Sequence, residues 1–189
     1  MEDDRAVVER QLGRPPRAFR RTVRRCPWGR PAVTEQNPYD VYGEPFPTTY
    51  YLTCPHLISA IARLEAANGV ARWSERARRE PELAESLRAA TEEQLELRQR
   101  LAAGRIGSDG GASLRLGIAG ASRPGRLKCL HAHAAFALAR PYRLGEAILG
   151  ELGELWPPGG CCTLDSPGPR LASATDAERG ARTPGMGAG

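Results

Sequence analysis

Long hydrophobic runs and a signal segment are both missing from this sequence of 189 residues. The longest strongly apolar run, near Cys129 to Ala139, is too short to cross a bilayer and contains two histidines. Met1 is followed directly by three acidic residues, whereas a secretory signal has basic residues and then an apolar stretch. These absences predict a cytoplasmic protein that does not insert into a membrane.

Lysine is almost absent, because Lys128 is the only lysine among 27 basic residues and all the others are arginine. With 21 glycines and 16 prolines, this bias is typical of a GC-rich genome, so the net charge of +5 alone does not indicate a nucleic-acid partner. Eight arginines and no acidic residue lie between Arg10 and Arg30. We interpret residues 10–30 as a solvated basic arm, and keep contact with nucleic-acid phosphates as an alternative.

The five cysteines are odd in number and contain no CxxC pair. An odd set of thiols without an export signal favours metal binding or thiol chemistry over a disulfide framework. Because no CxxC pair is present, the sequence evidence for a metal site is less specific.

Hydrophobic residues make up 41% of the sequence, which is enough for a real core. We predict a single α+β domain over residues 1–162, mostly helical, and a disordered tail over 163–189, where eight of 27 residues are Gly or Pro. A small sheet or strand pair is expected near Val33, Tyr50 and Leu116. Apolar periodicity and cap residues predict helices over Asp3–Leu12, from Pro55 onward, and over Glu82–Ala102, Leu127–Ala139 and Leu144–Leu155.

A candidate metal site is built on Cys129, His131 and His133, since thiolate sulfur and imidazole nitrogen are ligands that zinc prefers. Cys129 and His133 share a face of a regular helix, but Cys129 and His131 converge if the helix begins after Cys129. Cys54 and Cys26 each lie at a turn or a helix cap. We expect Cys54, Cys129 and His131 to approach one another, with Cys26 or His133 completing the group. The preferred function is a zinc-binding domain with a structural or regulatory role.

Cys54 also supports an enzyme hypothesis, because it lies between a predicted strand and the amino end of a predicted helix. The positive end of the helix dipole favours a thiolate nucleophile, with His56 or His131 as base. A thioredoxin-type second cysteine would fall at Leu57, so that partner is missing.

The glycine-rich segment 117–128 supports a third hypothesis, anion or nucleic-acid binding. It follows a predicted strand and opens a predicted helix, and Arg123, Arg126 and Lys128 suit a phosphate or a carboxylate. The segment is not a nucleotide-binding P-loop, because Arg126 and Leu127 stand where Lys and Ser/Thr are required.

Several motifs together resemble a bacterial family of unknown function, number 501. They are the decapeptide FPTTYYLTCP at 46–55 with Arg63–Glu65, the segment GIAG at 117–120 with KCLHAH at 128–133, and the turn RCPWG at 25–29. The resemblance runs from about Val8 to Trp156 and implies a cytoplasmic bacterial protein without an established activity. The family often has a second histidine five positions after the first. That position is Phe136 here, so a ligand or base at that position would be lost.

Overall fold

Six helices pack around a three-stranded antiparallel sheet in the part of the chain that the computed structural model describes, residues 3–123, 125–156 and 159–162. This confirms the predicted α+β, mostly helical class. The predicted tail at 163–189 lies outside the described residues. The strands are β1 (Phe19–Arg25), β2 (Pro31–Gln36) and β3 (Tyr50–Leu52), and the helices are α1 (Asp4–Leu12), α2 (Pro55–Ala66), α3 (Gly69–Arg79), α4 (Pro81–Ala102), α5 (Leu130–Ala139) and α6 (Arg143–Gly150).

The strand order is β1-β2-β3, and every residue of the central strand β2 is buried. β1 comes from the basic segment, so this segment is part of the fold. Arg21 Nε lies 3.0 Å from Glu35 Oε1, and Arg20 also pairs with this buried carboxylate. Burial raises the pKa of Glu35, but the two arginines outweigh it and lower the pKa below its ordinary value.

The predicted strand at Leu116 is wrong. Two short 3₁₀ turns, Ala112–Arg115 and Ile118–Gly120, flank this residue instead. Ala119 adopts a left-handed conformation with φ of 60°, and the Gly117 N–H donates to the Ala121 carbonyl, 2.8 Å away. A chain that turns back on itself in this way cannot continue an extended strand.

The sequence pattern places the apolar face of α2 and that of the first half of α4 correctly, whereas the second half of α4 buries Gln94 and Arg98 and leaves Leu101 partly exposed. α2 begins at Pro55, whose missing N–H costs nothing at a first helical position, and it buries Leu57 and Ile61. α4 buries Leu83 and Leu87 on the same core. Within the described ranges, every helix is too short or too polar to span a lipid bilayer.

α5 lies at the centre of the core and is apolar around most of its circumference. Phe136 is 1% exposed, and its ring meets Tyr50 and Tyr142 edge to face, with centroids 5.3 and 5.5 Å apart. These contacts are worth roughly 0.5–1.5 kcal/mol each beyond the buried area. Phe136 therefore joins α5 to β3 and to the start of α6.

We predict that Gly145→Ala destabilises the fold by about 1–3 kcal/mol, because a core with no free volume must shift to accept a new methyl group. A Cβ at Gly145 would lie 2.6 Å from the His133 carbonyl oxygen and 2.7 Å from the Ala137 Cβ. Gly150→Ala in the same helix is the control, since nothing lies within 4 Å of its Cβ position. Urea unfolding of both variants measures the difference. Equal stability of the two variants would contradict the close approach of α5 and α6.

Candidate metal centre

Three potential metal ligands, Glu65, Cys129 and His131, meet where the carboxyl end of α2 contacts the amino end of α5. One ligand atom from each residue lies within 4.8 Å of the other two. Cys129 Sγ is 3.7 Å from His131 Nδ1, and His131 Nδ1 is 3.3 Å from Glu65 Oε1. All three side chains are half-buried.

The start of α5 brings Cys129 and His131 together. Cys129 is the residue before the helix and has an extended conformation, with φ of −156° and ψ of 121°. On a regular helix, residues two apart point about 200° away from each other. Because α5 begins only at Leu130, the extended backbone of Cys129 turns its sulfur to the side of His131.

Glu65 fixes this helix start from α2. Its Oε1 accepts a hydrogen bond from the Leu130 N–H at 2.5 Å. The first N–H groups of a helix have no partner within the helix, and a carboxylate there also interacts favourably with the helix dipole. Glu65 therefore orients α5 as well as supplying an oxygen to the group.

A backbone carbonyl sets the orientation of the His131 ring. His131 Nε2 donates to the Ile58 carbonyl oxygen at 3.1 Å. Since a carbonyl can only accept, the proton lies on Nε2 in the neutral ring, and the Nδ1 lone pair faces Cys129 and Glu65. Metal-binding histidines have this arrangement, with the second nitrogen held by a carbonyl or a carboxylate.

The charges around His131 favour its protonated form. Burial lowers the pKa of His131, but the Cys129 sulfur, the Glu65 carboxylate and the Ile58 carbonyl outweigh burial and raise it to about 9. A metal ion bound by Nδ1 must therefore displace a proton.

A cavity of about 370 Å³ opens beside the group. Cys129 and His131 form part of its wall, and Tyr50, Leu52 and Ile58 supply an apolar side. This volume is in the range of small-molecule pockets. A fourth ligand or a substrate therefore has room next to the three protein side chains.

Cys54, Cys26 and His133, the other members of the predicted metal set, lie elsewhere. Cys54 Sγ is 3.7 Å from Cys162 Sγ, and Cys26 Sγ is 4.0 Å from Cys161 Sγ. Among the described residues, neither pair joins the group at Cys129 and His131.

Burial makes Cys54 a poor nucleophile and makes His133 a residue of the core. Burial raises the pKa of the Cys54 thiol to about 12, which is the opposite of an activated nucleophile. His133 is completely buried, its Nδ1 lies 2.8 Å from the Tyr142 hydroxyl, and burial lowers its pKa to about 3. Its imidazole is therefore neutral and part of the core.

The anion candidates divide into two kinds. Lys128 Nζ donates to the Gly120 carbonyl oxygen at 3.2 Å, so it holds the loop closed. Arg123 and Arg126 line a cavity of about 130 Å³, to which Arg115 and His133 also contribute.

Glu65 is a potential ligand that the pattern of Cys and His residues in the sequence does not indicate. It lies 64 positions before Cys129, and only the fold brings the two together. Its one signal in the sequence is its place in the segment Arg63–Glu65, which belongs to the resembled motif.

A comparison with protein families confirms the resemblance seen in the sequence. A family described as "Protein of unknown function (DUF501)" matches residues 22–152, which is more than half of the chain and includes all three residues of the group. No curated protein and no solved structure matches the chain. The function must therefore be argued from the geometry of the site.

We predict that the metal-free protein loses stability as the pH rises from about 6.5 to about 9. The pKa of His131 is higher in the folded chain than its ordinary value of 6.5, so its protonation stabilises the fold. This contribution is complete below pH 6.5 and is lost as the pH passes through 9. NMR titration of the imidazole and urea midpoints across this range measure both quantities.

Glu65→Gln removes one of the charges that raise the pKa of His131 but keeps an oxygen for the Leu130 N–H. We expect a lower pKa at His131 and a smaller loss of stability across the same range. Glu9→Gln on the exposed side of α1 is the matched control and should leave both unchanged. A His131 pKa that Glu65→Gln does not alter would show that this carboxylate does not act on the ring.

Proposed function

Because the chain belongs to the DUF501 family, whose description assigns no activity, we propose from the site chemistry that it is a zinc-binding protein. Glu65, Cys129 and His131 are the proposed ligands. Thiolate, imidazole and carboxylate are the three kinds of side chain that bind zinc, and zinc takes four ligands in a tetrahedron. The observation that carries the proposal is the meeting of three such donors, one from α2 and two from the start of α5, within 4.8 Å.

The position of the cavity favours a site that exchanges its fourth ligand. Structural zinc sites are closed by four protein ligands, whereas sites that bind or activate a small molecule use three and leave one position open. Here two of the three protein donors, Cys129 and His131, lie in the wall of a cavity of about 370 Å³, and Glu65 lies next to them. The proposed role is therefore regulatory binding of a small ligand rather than purely structural support.

A bacterial cytoplasm is part of the same proposal. All five cysteines are thiols in the described structure. A thiolate ligand keeps its affinity for zinc only while it remains reduced, and the cytoplasm maintains that state.

We predict about one zinc per chain when the protein is purified without chelator. Elemental analysis measures the ratio, and less than about 0.2 zinc per chain would contradict the proposal. Cys129→Ser, His131→Asn and Glu65→Gln should each weaken zinc binding by at least about 10-fold in competition with a chelating dye.

His56→Asn and Cys26→Ser are the matched controls, since neither residue belongs to the group of three. Both should bind zinc like the parent chain. Full zinc occupancy in all three ligand variants would place the metal elsewhere.

A second candidate function, anion binding, rests on three arginines around the smaller cavity. Arg115, Arg123 and Arg126 line it together with Ser122, and their side chains have no ion-pair partner among the described residues. Elsewhere several arginines are paired with acids, as Arg88 in α4 is with Glu85 and Arg25 in β1 is with Asp4. Guanidinium groups that line one cavity without acidic partners suit a phosphate or a carboxylate.

A buried nitrogen supports the same ligand class. His133 also lines this cavity, and its Nε2 is buried without a hydrogen-bond partner. When the Tyr142 hydroxyl donates to Nδ1, the proton of the neutral ring lies on Nε2 and is available to an anion. A cavity of about 130 Å³ has room for one phosphate-sized group.

We expect inorganic phosphate to bind here, with an affinity that falls as salt is added. Arg123→Gln and Arg126→Gln should each reduce the affinity by about 10-fold in calorimetric titration, because each removes a charge-assisted contact. Arg63→Gln on the exposed side of α2 is the control and should bind like the parent chain. If Arg63→Gln lowers the affinity as much as the other two variants, the binding depends only on the net charge of the protein, which would contradict a site at this cavity.

A further inference from the structure

Two pairs of thiols lie at one end of the sheet, and four of the five cysteines take part in them. Cys26 follows β1, and its sulfur lies 4.0 Å from that of Cys161. Cys54 follows β3, and its sulfur lies 3.7 Å from that of Cys162. The adjacent residues Cys161 and Cys162 thus contact two cysteines that are well separated in the chain.

The sheet topology explains this arrangement. β1 and β3 are both antiparallel to the central strand β2, so they run in the same direction and finish at the same end of the sheet. Cys26 N donates to the Arg30 carbonyl across the turn into β2, and Thr53 N donates to Ala32 in that strand. Two strand spacings separate Cys26 from Cys54 by about 10 Å. Cys161 and Cys162 are adjacent, and side chains of adjacent residues that point to opposite sides of an extended chain can reach two partners about 10 Å apart.

These pairs do not have the geometry of a metal site. Among the described residues, no third Cys, His, Asp or Glu ligand atom lies within 4.8 Å of both sulfurs of either pair. A disulfide bond needs only two cysteines, and it forms when their Cβ atoms approach to about 3.5–4.5 Å. The arrangement therefore suits oxidation of two separate pairs.

We propose that Cys26–Cys161 and Cys54–Cys162 are two reversible disulfide sites, which on oxidation tie residues 159–162 to the end of the sheet. The oxidant is a small disulfide of the glutathione class. We call residues 159–162 the strap. Cys161 and Cys162 lie outside the region 22–152 that matches the family, so the strap belongs to the segment after that region.

The chemistry is two thiol–disulfide exchanges for each pair. The thiolate of the half-buried Cys162 attacks one sulfur of the small disulfide, forms a mixed disulfide and releases one small thiolate. The buried Cys54 thiol then loses its proton to water, and its thiolate attacks the Cys162 sulfur and expels the second small thiolate. The protein loses two electrons and two protons, and the small disulfide is reduced to two thiols. Cys161 and Cys26 react in the same way.

Oxidation also acts on α2, the helix that carries Glu65 of the candidate metal group (Glu65, Cys129 and His131). Cys54 is the N-cap residue of α2, the helix that contains Ile58 and Glu65. Tying Cys54 to the strap restricts the amino end of this helix. The inference rests on the thiol pairs alone and does not depend on bound zinc.

The test uses the reduced, chelator-treated full chain, incubated with oxidised glutathione, alkylated and mapped by mass spectrometry. Trypsin does not cleave before Pro31, so a second protease that cuts after Glu35 is needed to separate Cys26 from Cys54. We expect both links, each with a loss of two hydrogens, and their removal by a dithiol reductant.

Single substitutions distinguish the pairing, because no cleavage separates Cys161 from Cys162. Cys161→Ser should retain only the Cys54–Cys162 link, and Cys162→Ser only the Cys26–Cys161 link. Cys129→Ser is the control and should retain both. A link between Cys161 and Cys162, crossed links or no link at all would overturn the proposal.

Thermal unfolding gives an independent readout. The two bonds would close chain segments of 135 and 108 residues, and constraint of segments this long in the unfolded chain stabilises the fold. We expect oxidation to raise the Tm by about 5–15 °C. The double variant Cys161→Ser/Cys162→Ser should lose this shift. An oxidised parent chain that melts at the same temperature as the reduced chain would contradict the strap.

Discussion

The hydrogen bond from the Leu130 N–H to the Glu65 carboxylate is the contact on which the candidate site depends. It fixes the point at which α5 begins, and this point decides that Cys129 stays extended while His131 is helical. The same carboxylate adds charge beside His131 Nδ1. One side chain thus aligns a helix, brings a thiol and an imidazole together and completes the donor set. A start of α5 one residue earlier would turn the sulfur away from the ring.

α5 separates two chemical environments. His131 and His133 are two positions apart, so their side chains leave the helix about 200° apart. His131 lies at the wall of the larger cavity beside the metal group, and its surroundings raise its pKa to about 9. His133 faces the smaller cavity from inside the core, and burial lowers its pKa to about 3. At neutral pH His131 is therefore protonated and His133 is neutral, because they lie on opposite sides of the same helix.

The sequence predicts what depends on local spacing. The apolar periodicity gives the buried faces of α2 and of the first half of α4, and the short interval between Cys129 and His131 suggests their convergence. β1 is not predictable in this way, because a strand with four arginines at the sheet edge shows no apolar alternation. Glu65 and the pairing of Cys54 with Cys162 depend on contacts between distant segments, which a single sequence does not contain. Leu116 shows the converse, since its alternating neighbours predict a strand but the backbone turns at Ala119.

The two ends of α2 connect the metal group with the thiol strap. Cys54 caps its amino end beside Cys162, and Glu65 lies at its carboxyl end beside α5. A helix of 12 residues is about 18 Å long, so the two sites do not share atoms. Ile58 connects them, because its N–H donates to the Cys54 carbonyl while its own carbonyl accepts from His131. A shift of the first turn of α2 would therefore move the hydrogen bond that orients the imidazole. Through this contact the proposed oxidation of Cys54 would change the geometry of Glu65, Cys129 and His131.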